Sequence, residues 1–115
     1  MPRDDDSVTD ILNAARIIVA YMDGLSREQF DADARTRDAV AMRLMVIGEA
    51  TKRFSMSFRD SSPQVPWRGM AGMRDVLIHG YDQIDPQAVW DAARDDVSEL
   101  IRLVEALLPA PTEDP

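Results

Sequence analysis

The sequence predicts an all-α bundle of three long helices joined by shorter pieces. Three observations predict it: apolar residues recur every three or four positions over three long windows, helix-start and helix-stop residues bracket those windows, and no stretch alternates strictly between apolar and polar. At 115 residues the chain makes one domain with a single core, at a size where helical proteins gain stability by pairing, so a homodimer is expected. The expected layout is a flexible acidic N-terminus over 1–6, a helical domain over 7–108 and a flexible proline-rich tail over 109–115.

Ser7 is a good N-cap, and Val8, Ile11, Ala15, Ile18 and Met22 follow on one face, predicting a first helix over 7–24 that stops at Gly24. Ser26 and Gln29 form a capping box, so a short second helix should tuck Phe30 inward. The third helix, roughly 33–55, carries the stripe Val40, Leu44, Ile47, Thr51 and Phe54, with Gly48 allowing a neighbour to approach. Residues 55–66 are polar and contain Pro63 and Pro66, which reads as an irregular connection with about one helical turn before Trp67 as a buried anchor. A short helix over 71–79 should then end at Gly80, where glycine takes the left-handed C′ conformation at little cost. Asp85 as N-cap and Pro86 at the first helical position open a last helix over 86–108, lined by Trp90, Ala93, Val97, Leu100, Val104 and Leu107.

Composition excludes several classes of function. Without cysteine there is no disulfide, thiolate nucleophile or cysteine zinc site, and one histidine cannot make a histidine-rich metal site within a chain. No apolar run is long enough to span a bilayer and no signal-peptide core is present, so a cytoplasmic location is expected. A net charge of −8 argues against a broad duplex-binding face. Locally the balance reverses: Lys52, Arg53, Arg59, Arg68 and Arg74 against the single Asp60 give that stretch +4, leaving −12 for the rest. A small polyanion or single-stranded RNA at one locus fits this asymmetry, with acidic surface elsewhere for a basic partner; ordinary solvated helix charge fits it too.

The chemistry gathers at Arg74-Asp75-Val76-Leu77-Ile78-His79-Gly80-Tyr81, which holds the only histidine. Four residues apart on a helix, the Asp75 carboxylate would lie one turn below the His79 ring and hold one nitrogen of the imidazole. A histidine in that place suits proton transfer. Arg74 is five residues from His79, about 140° around an ideal helix, so a symmetric pair of chains offers a second way to bring an arginine and a histidine to one cleft. Arginine grips a phosphate and stabilises its developing charge, and RNA carries its own 2′-hydroxyl nucleophile, so these two groups suffice for cleavage without a metal or cofactor. The alternative is a structural cluster of Asp75, His79 and Tyr81 with Arg74 paired to an acid.

The motif does not stand alone. Ile47-Gly48-Glu49-Ala50-Thr51-Lys52-Arg53, then Val65-Pro66-Trp67-Arg68-Gly69-Met70-Ala71-Gly72-Met73 leading into Arg74 to Tyr81, then Ile84-Asp85-Pro86 and Val89-Trp90, together resemble the HepT-like toxin family of HEPN-domain ribonucleases over roughly 8–108. The family signature is Arg, a polar residue, three more residues, His, one residue, Tyr; Arg74, Asp75, His79 and Tyr81 occupy all four places. The resemblance implies a HEPN-type bundle of four to five helices, dimerised so that both motifs face one cleft, acting as a metal-independent endoribonuclease. It implies catalytic roles for Arg74 and His79 with Asp75 in support, and membership of a bacterial toxin–antitoxin pair. The implied antitoxin is an MNT-type nucleotidyltransferase that transfers AMP to Tyr81, adding bulk and negative charge where RNA phosphate must sit. Arg53 and Arg68 are candidate RNA contacts where they face the cleft; Glu49, Trp67 and Trp90 read more readily as packing residues. A pI of about 4.5 is unusual for an RNA-cutting enzyme. The competing reading is a non-catalytic helical dimer that binds a partner or a nucleotide through the same cleft.

Overall fold

In the computed structural model, described over residues 2–79 and 83–108, three long rods pack side by side. These are α1 (Pro2–Met22), α3 (Ala34–Lys52) and a last rod made of α7 (Pro86–Asp91), a π-helical turn (Ala92–Asp96) and α8 (Val97–Glu105). The short elements between them are α2 (Arg27–Ala32), α4 (Met56–Asp60), α5 (Trp67–Ala71), α6 (Met73–Leu77), and the two-residue strands β1 (Ile78–His79) and β2 (Gln83–Ile84). Among the described residues no helix is long and apolar enough to cross a membrane.

The central rod is α1, antiparallel to both neighbours. Its first turn meets the end of α3, where Asp4 bonds to Ser55, while its Arg16 pairs with Glu105 at the end of α8. The faces anticipated from periodicity are the ones buried. Val8, Ile11, Ala15, Ile18 and Met22 of α1 meet Val40, Leu44 and Ile47 along α3 and Phe54 just beyond its end, with Val97, Leu100 and Val104 closing the core from α8. Burial of each valine, leucine, isoleucine, methionine or phenylalanine among them is worth about 1.5–3 kcal/mol. Thr51 sits in this stripe at no cost in polarity, because its hydroxyl donates to the Ile47 carbonyl at 2.7 Å.

Local caps hold the short pieces. At α2 the capping box is complete, Gln29 N–H donating to Ser26 Oγ at 3.1 Å and Ser26 N–H to Gln29 Oε1 at 2.9 Å, and Phe30 is fully buried. Asp33 caps α3 by accepting from Thr36 N–H and from the Thr36 hydroxyl, and those bonds hold its carboxyl below the usual carboxylate value.

Three boundaries differ from expectation, each for a reason outside its own stretch of sequence. Helix α1 begins at Pro2, so the acidic run expected to be flexible over 1–6 is the first turn of a helix. Asp4 is the cause: 2% exposed, it accepts from Ser55 N–H at 3.0 Å and from the Ser55 hydroxyl at 3.1 Å, while Ser55 Oγ in turn caps α4 by accepting from Phe58 N–H. The last rod contains a π-turn. Val89, Ala93 and Val97 recur at steps of four, which drift by about 40° per step on an α-helix, and the wider turn keeps all three buried. The helix expected over 71–79 is two helices and a strand: α5 ends at Gly72, where a Cβ would lie 3.3 Å from the Arg68 carbonyl, and α6 ends at Leu77. Gly80, expected to stop that helix, and the tail 109–115 lie outside the described residues.

Asp96, beside the π-turn, has its carboxyl raised above the usual value, first by lost hydration and then by repulsion from Asp95 and Asp91. Two stability effects follow. Asp4→Ala leaves the Ser55 donors without their acceptor and should cost about 1–3 kcal/mol in urea denaturation, with the unfolding slope unchanged. For Asp96 a raised pKa means that the folded state is favoured when the group is protonated and loses that advantage as pH rises through the folded pKa. Asp96→Asn should therefore raise the melting temperature at neutral pH and not in acid; on an exposed residue the gain should stay within about 0.5 kcal/mol.

Candidate active site

The site is built where the chain leaves its helices. Trp67 anchors the approach, its indole N–H donating to the Arg59 and Ser62 carbonyls at 3.1 and 3.0 Å, with Phe54 edge-on at 4.9 Å. Met70 and Leu77, at 2% and 1% exposure, fasten α5 and α6 to the core from either side of Gly72. After Leu77 the backbone extends: Ile78 pairs with Ile84 and His79 with Gln83 in an antiparallel hairpin. Asp85 N–H donates to the Leu77 carbonyl at 2.7 Å, closing the base of that hairpin. Extension at Asp85 is enforced by Pro86, which disfavours helical geometry in the residue before it, and the same Asp85 side chain caps α7 by accepting from Gln87 and Ala88 N–H.

The backbone thus places Arg74 and Asp75 on α6 and His79 at the end of β1. This corrects the expected relation between Asp75 and His79, since they do not lie one turn apart on a common helix. The 140° offset between Arg74 and His79 lapses for the same reason. Three helical rises of 1.5 Å and two extended rises of 3.3 Å separate Arg74 from His79 by at most about 11 Å along the chain. Asp75 is exposed. Tyr81 falls within 80–82, between the paired His79 and Gln83 and outside the described residues.

The flanking basic residues divide. Arg68 is exposed on α5, the element just before the motif. Arg53 instead lies 3.7 Å from Asp10 and lines a hollow with Met42, Met45 and Glu49, which among the described residues is made of α1 and α3 neighbours and includes nothing from α5 or α6. Lys52 pairs with Glu49, and Arg59 donates to the Thr51 carbonyl at the end of α3. Three of the five cations in the basic stretch are therefore engaged in holding the helices. Trp90, expected as packing, lies edge-on to Phe30 at 5.2 Å, with the Arg94 and Arg27 guanidinium groups 5.1 and 5.6 Å from its ring centre.

One feature beside the motif went unanticipated. A groove runs between α5–α6 and the last rod, with Gly69 and Met73 on one side and Asp91, Asp95, Asp96 and Glu99 on the other. The four acids were readable as one face of a helix, but the sequence did not show which wall would stand opposite.

With this geometry in place, comparison with known proteins is informative. The ribonuclease HepT-like family matches residues 11–107, which includes every element from the middle of α1 to the end of α8. A Thermococcus cleftensis protein named "Probable ribonuclease HepT" is 37% identical over 95 residues, covering 83% of this chain and 86% of that protein. A protein of Methanocaldococcus jannaschii named as a candidate RNase is 37% identical over 99 residues, 86% of this chain and 82% of the relative. Another candidate RNase, from Caldanaerobacter subterraneus subsp. tengcongensis, is 34% identical over 98 residues, 85% and 88% of the two chains. No solved structure matches. A family match spanning nearly the whole bundle and relatives aligned over more than four-fifths of their length establish that the chain belongs to the ribonuclease HepT-like family, a family of ribonucleases.

Proposed function

We propose that the chain is a metal-independent endoribonuclease toxin that cleaves RNA by attack of the 2′-hydroxyl on the adjacent phosphate. The observation that carries this reading is the family match across the whole stretch from α5 to α7, on a chain whose only histidine ends the strand that follows the Arg74 helix. In the reaction the 2′-oxygen bonds to phosphorus, the bond from phosphorus to the 5′-oxygen breaks, and a 2′,3′-cyclic phosphate remains. His79 moves the proton, taking it from the 2′-hydroxyl or delivering one to the leaving 5′-oxygen. Arg74 binds the phosphate and stabilises the charge that builds on its oxygens. Asp75, exposed one residue along α6, is the supporting carboxylate, and Arg68, exposed on α5, is the flanking cation offered to a neighbouring phosphate. One histidine supplies one proton-transfer group, whereas this reaction uses a base and an acid. A homodimer that turns two motifs into one cleft supplies both.

Control of the site follows from the same reading. The partner is a nucleotidyltransferase antitoxin of the MNT type that transfers AMP to the Tyr81 hydroxyl: the tyrosyl oxygen bonds to the α-phosphorus of ATP and pyrophosphate leaves. A phosphodiester two residues from His79 would oppose RNA phosphate by charge and by bulk. Two experiments test the reading. His79→Ala should lower RNA cleavage in the presence of a chelator by about 10²–10⁴-fold and Arg74→Ala by about 10²–10³-fold, with melting temperature and oligomeric state unchanged. Undiminished cleavage by His79→Ala removes the proposed mechanism. Incubation with the nucleotidyltransferase and ATP should add adenylyl mass to the wild-type chain and none to Tyr81→Phe, and the modified protein should no longer cleave; mass added equally to both places the modification elsewhere.

A further inference from the structure

The groove beside the motif has a composition that selects its occupant. Two adjoining hollows of about 360 and 250 Å³ share Gly69, Met73 and Asp96 and run along the last rod from Ala88 to Leu103, about 22 Å at 1.5 Å per residue. Met70, Met73 and Leu77 line one side and Leu100 and Leu103 the other, so the floor is apolar. Among the described residues the rim is acidic on the side of the last rod only. Asp91 accepts from Gln87, and Glu99 accepts from Arg102 at 3.0 Å. Among the described residues neither Asp95 nor Asp96 meets a cation within ion-pair distance. The Asp96 carboxyl is raised first by lost hydration and then by repulsion from Asp95 and Asp91.

Three kinds of occupant meet this surface differently. RNA is repelled, because its phosphates would face the four carboxylates. A second copy related by a twofold axis through the groove would set the same carboxylates against themselves, since such an interface joins identical patches. A helix with apolar residues on one stripe and lysine or arginine beside it satisfies both floor and rim, and four turns of it match the groove's length.

We infer that the groove between α5–α6 and the last rod docks a basic amphipathic helix of a partner protein, its apolar stripe on Met73, Leu100 and Leu103 and its cations along Asp91, Asp95, Asp96 and Glu99. The occupant would lie against α6, the element that carries Arg74. This holds whether or not the chain cleaves RNA, and its test measures binding alone.

The probe is a synthetic peptide of 15 residues with leucine at helical spacing and lysine elsewhere, labelled and titrated with the full chain by fluorescence anisotropy. The expected result is saturable one-to-one binding. The triple substitution D95N/D96N/E99Q should weaken it by about tenfold, and Leu103→Ala should weaken it as well. Neutralising the same number of exposed acids elsewhere, D5N/D6N/D38N, should leave affinity within about twofold. Equal loss in the two triples would show only general attraction to an acidic protein and overturn the inference, as would an absence of saturation. Stronger self-association of D95N/D96N/E99Q in sedimentation would assign the groove to a second copy and overturn it too.

Discussion

A backbone hydrogen bond of 2.7 Å, from Asp85 N–H to the Leu77 carbonyl, joins the two halves of the site. Leu77 is the last residue of α6 and is buried at 1% exposure; Asp85 is the residue that starts α7. Drawing these two together ends one helix, closes the hairpin that contains His79 and aims the last rod across the bundle. Pro86 makes the bond inexpensive, because the residue before proline already prefers an extended backbone. The position of His79 relative to Arg74 is therefore a consequence of how the bundle closes, and not of helical periodicity. Around it the short helices α5 and α6, of five residues each, have no stability of their own and persist because Trp67, Met70 and Leu77 are buried against α3.

Charge is distributed with the same economy. Of the cations that give the 52–74 stretch its positive sign, Lys52, Arg53 and Arg59 act on the helices, pairing with Glu49 and Asp10 or meeting the Thr51 carbonyl. The other two cations of that stretch stand on the elements at the motif, Arg68 on α5 and Arg74 on α6. On the opposite wall stand Asp91, Asp95, Asp96 and Glu99. An acidic ribonuclease is then less of a contradiction: RNA needs a few phosphate contacts at one locus, and a wall of carboxylates nearby restricts the direction from which a strand approaches. The net charge of −8 describes the surface as a whole and says little about the few residues where a phosphate would sit.

How much of this was legible in the sequence depended on how far apart the interacting groups lie. The Ser26–Gln29 capping box and the stripe from Val40 to Phe54 were readable because their partners lie within one turn or recur with the helical period. The start of α1 was not, because Asp4 is held by Ser55, 51 residues away, and a run of aspartates with no visible partner reads as a solvated end. The π-turn left a trace in two successive four-residue steps from Val89 to Val97, which a stripe drawn through Trp90 in place of Val89 passes over. The break after Leu77 left less. Gly80 offered a plausible helix stop, and only the pairing of Ile78 with Ile84 shows that the helix had already ended. The motif residues stand as candidates on type, spacing and resemblance, while the backbone geometry between them depends on a tertiary contact that spacing does not encode.

The same dependence ties the groove to the motif. Met73 and Leu77 line the groove, and Arg74 lies between them on α6. Helix α6 is a single turn of five residues, held by tertiary packing and not by stability of its own. Whatever seats itself against Met73 and the last rod lies beside the backbone that carries Arg74, one residue away on the same turn. Elements with little stability of their own are the ones a ligand can order most readily. The bundle keeps its core in α1, α3 and α8, and places both the candidate chemistry and one wall of the candidate docking groove on the short segment whose geometry is set by tertiary contacts.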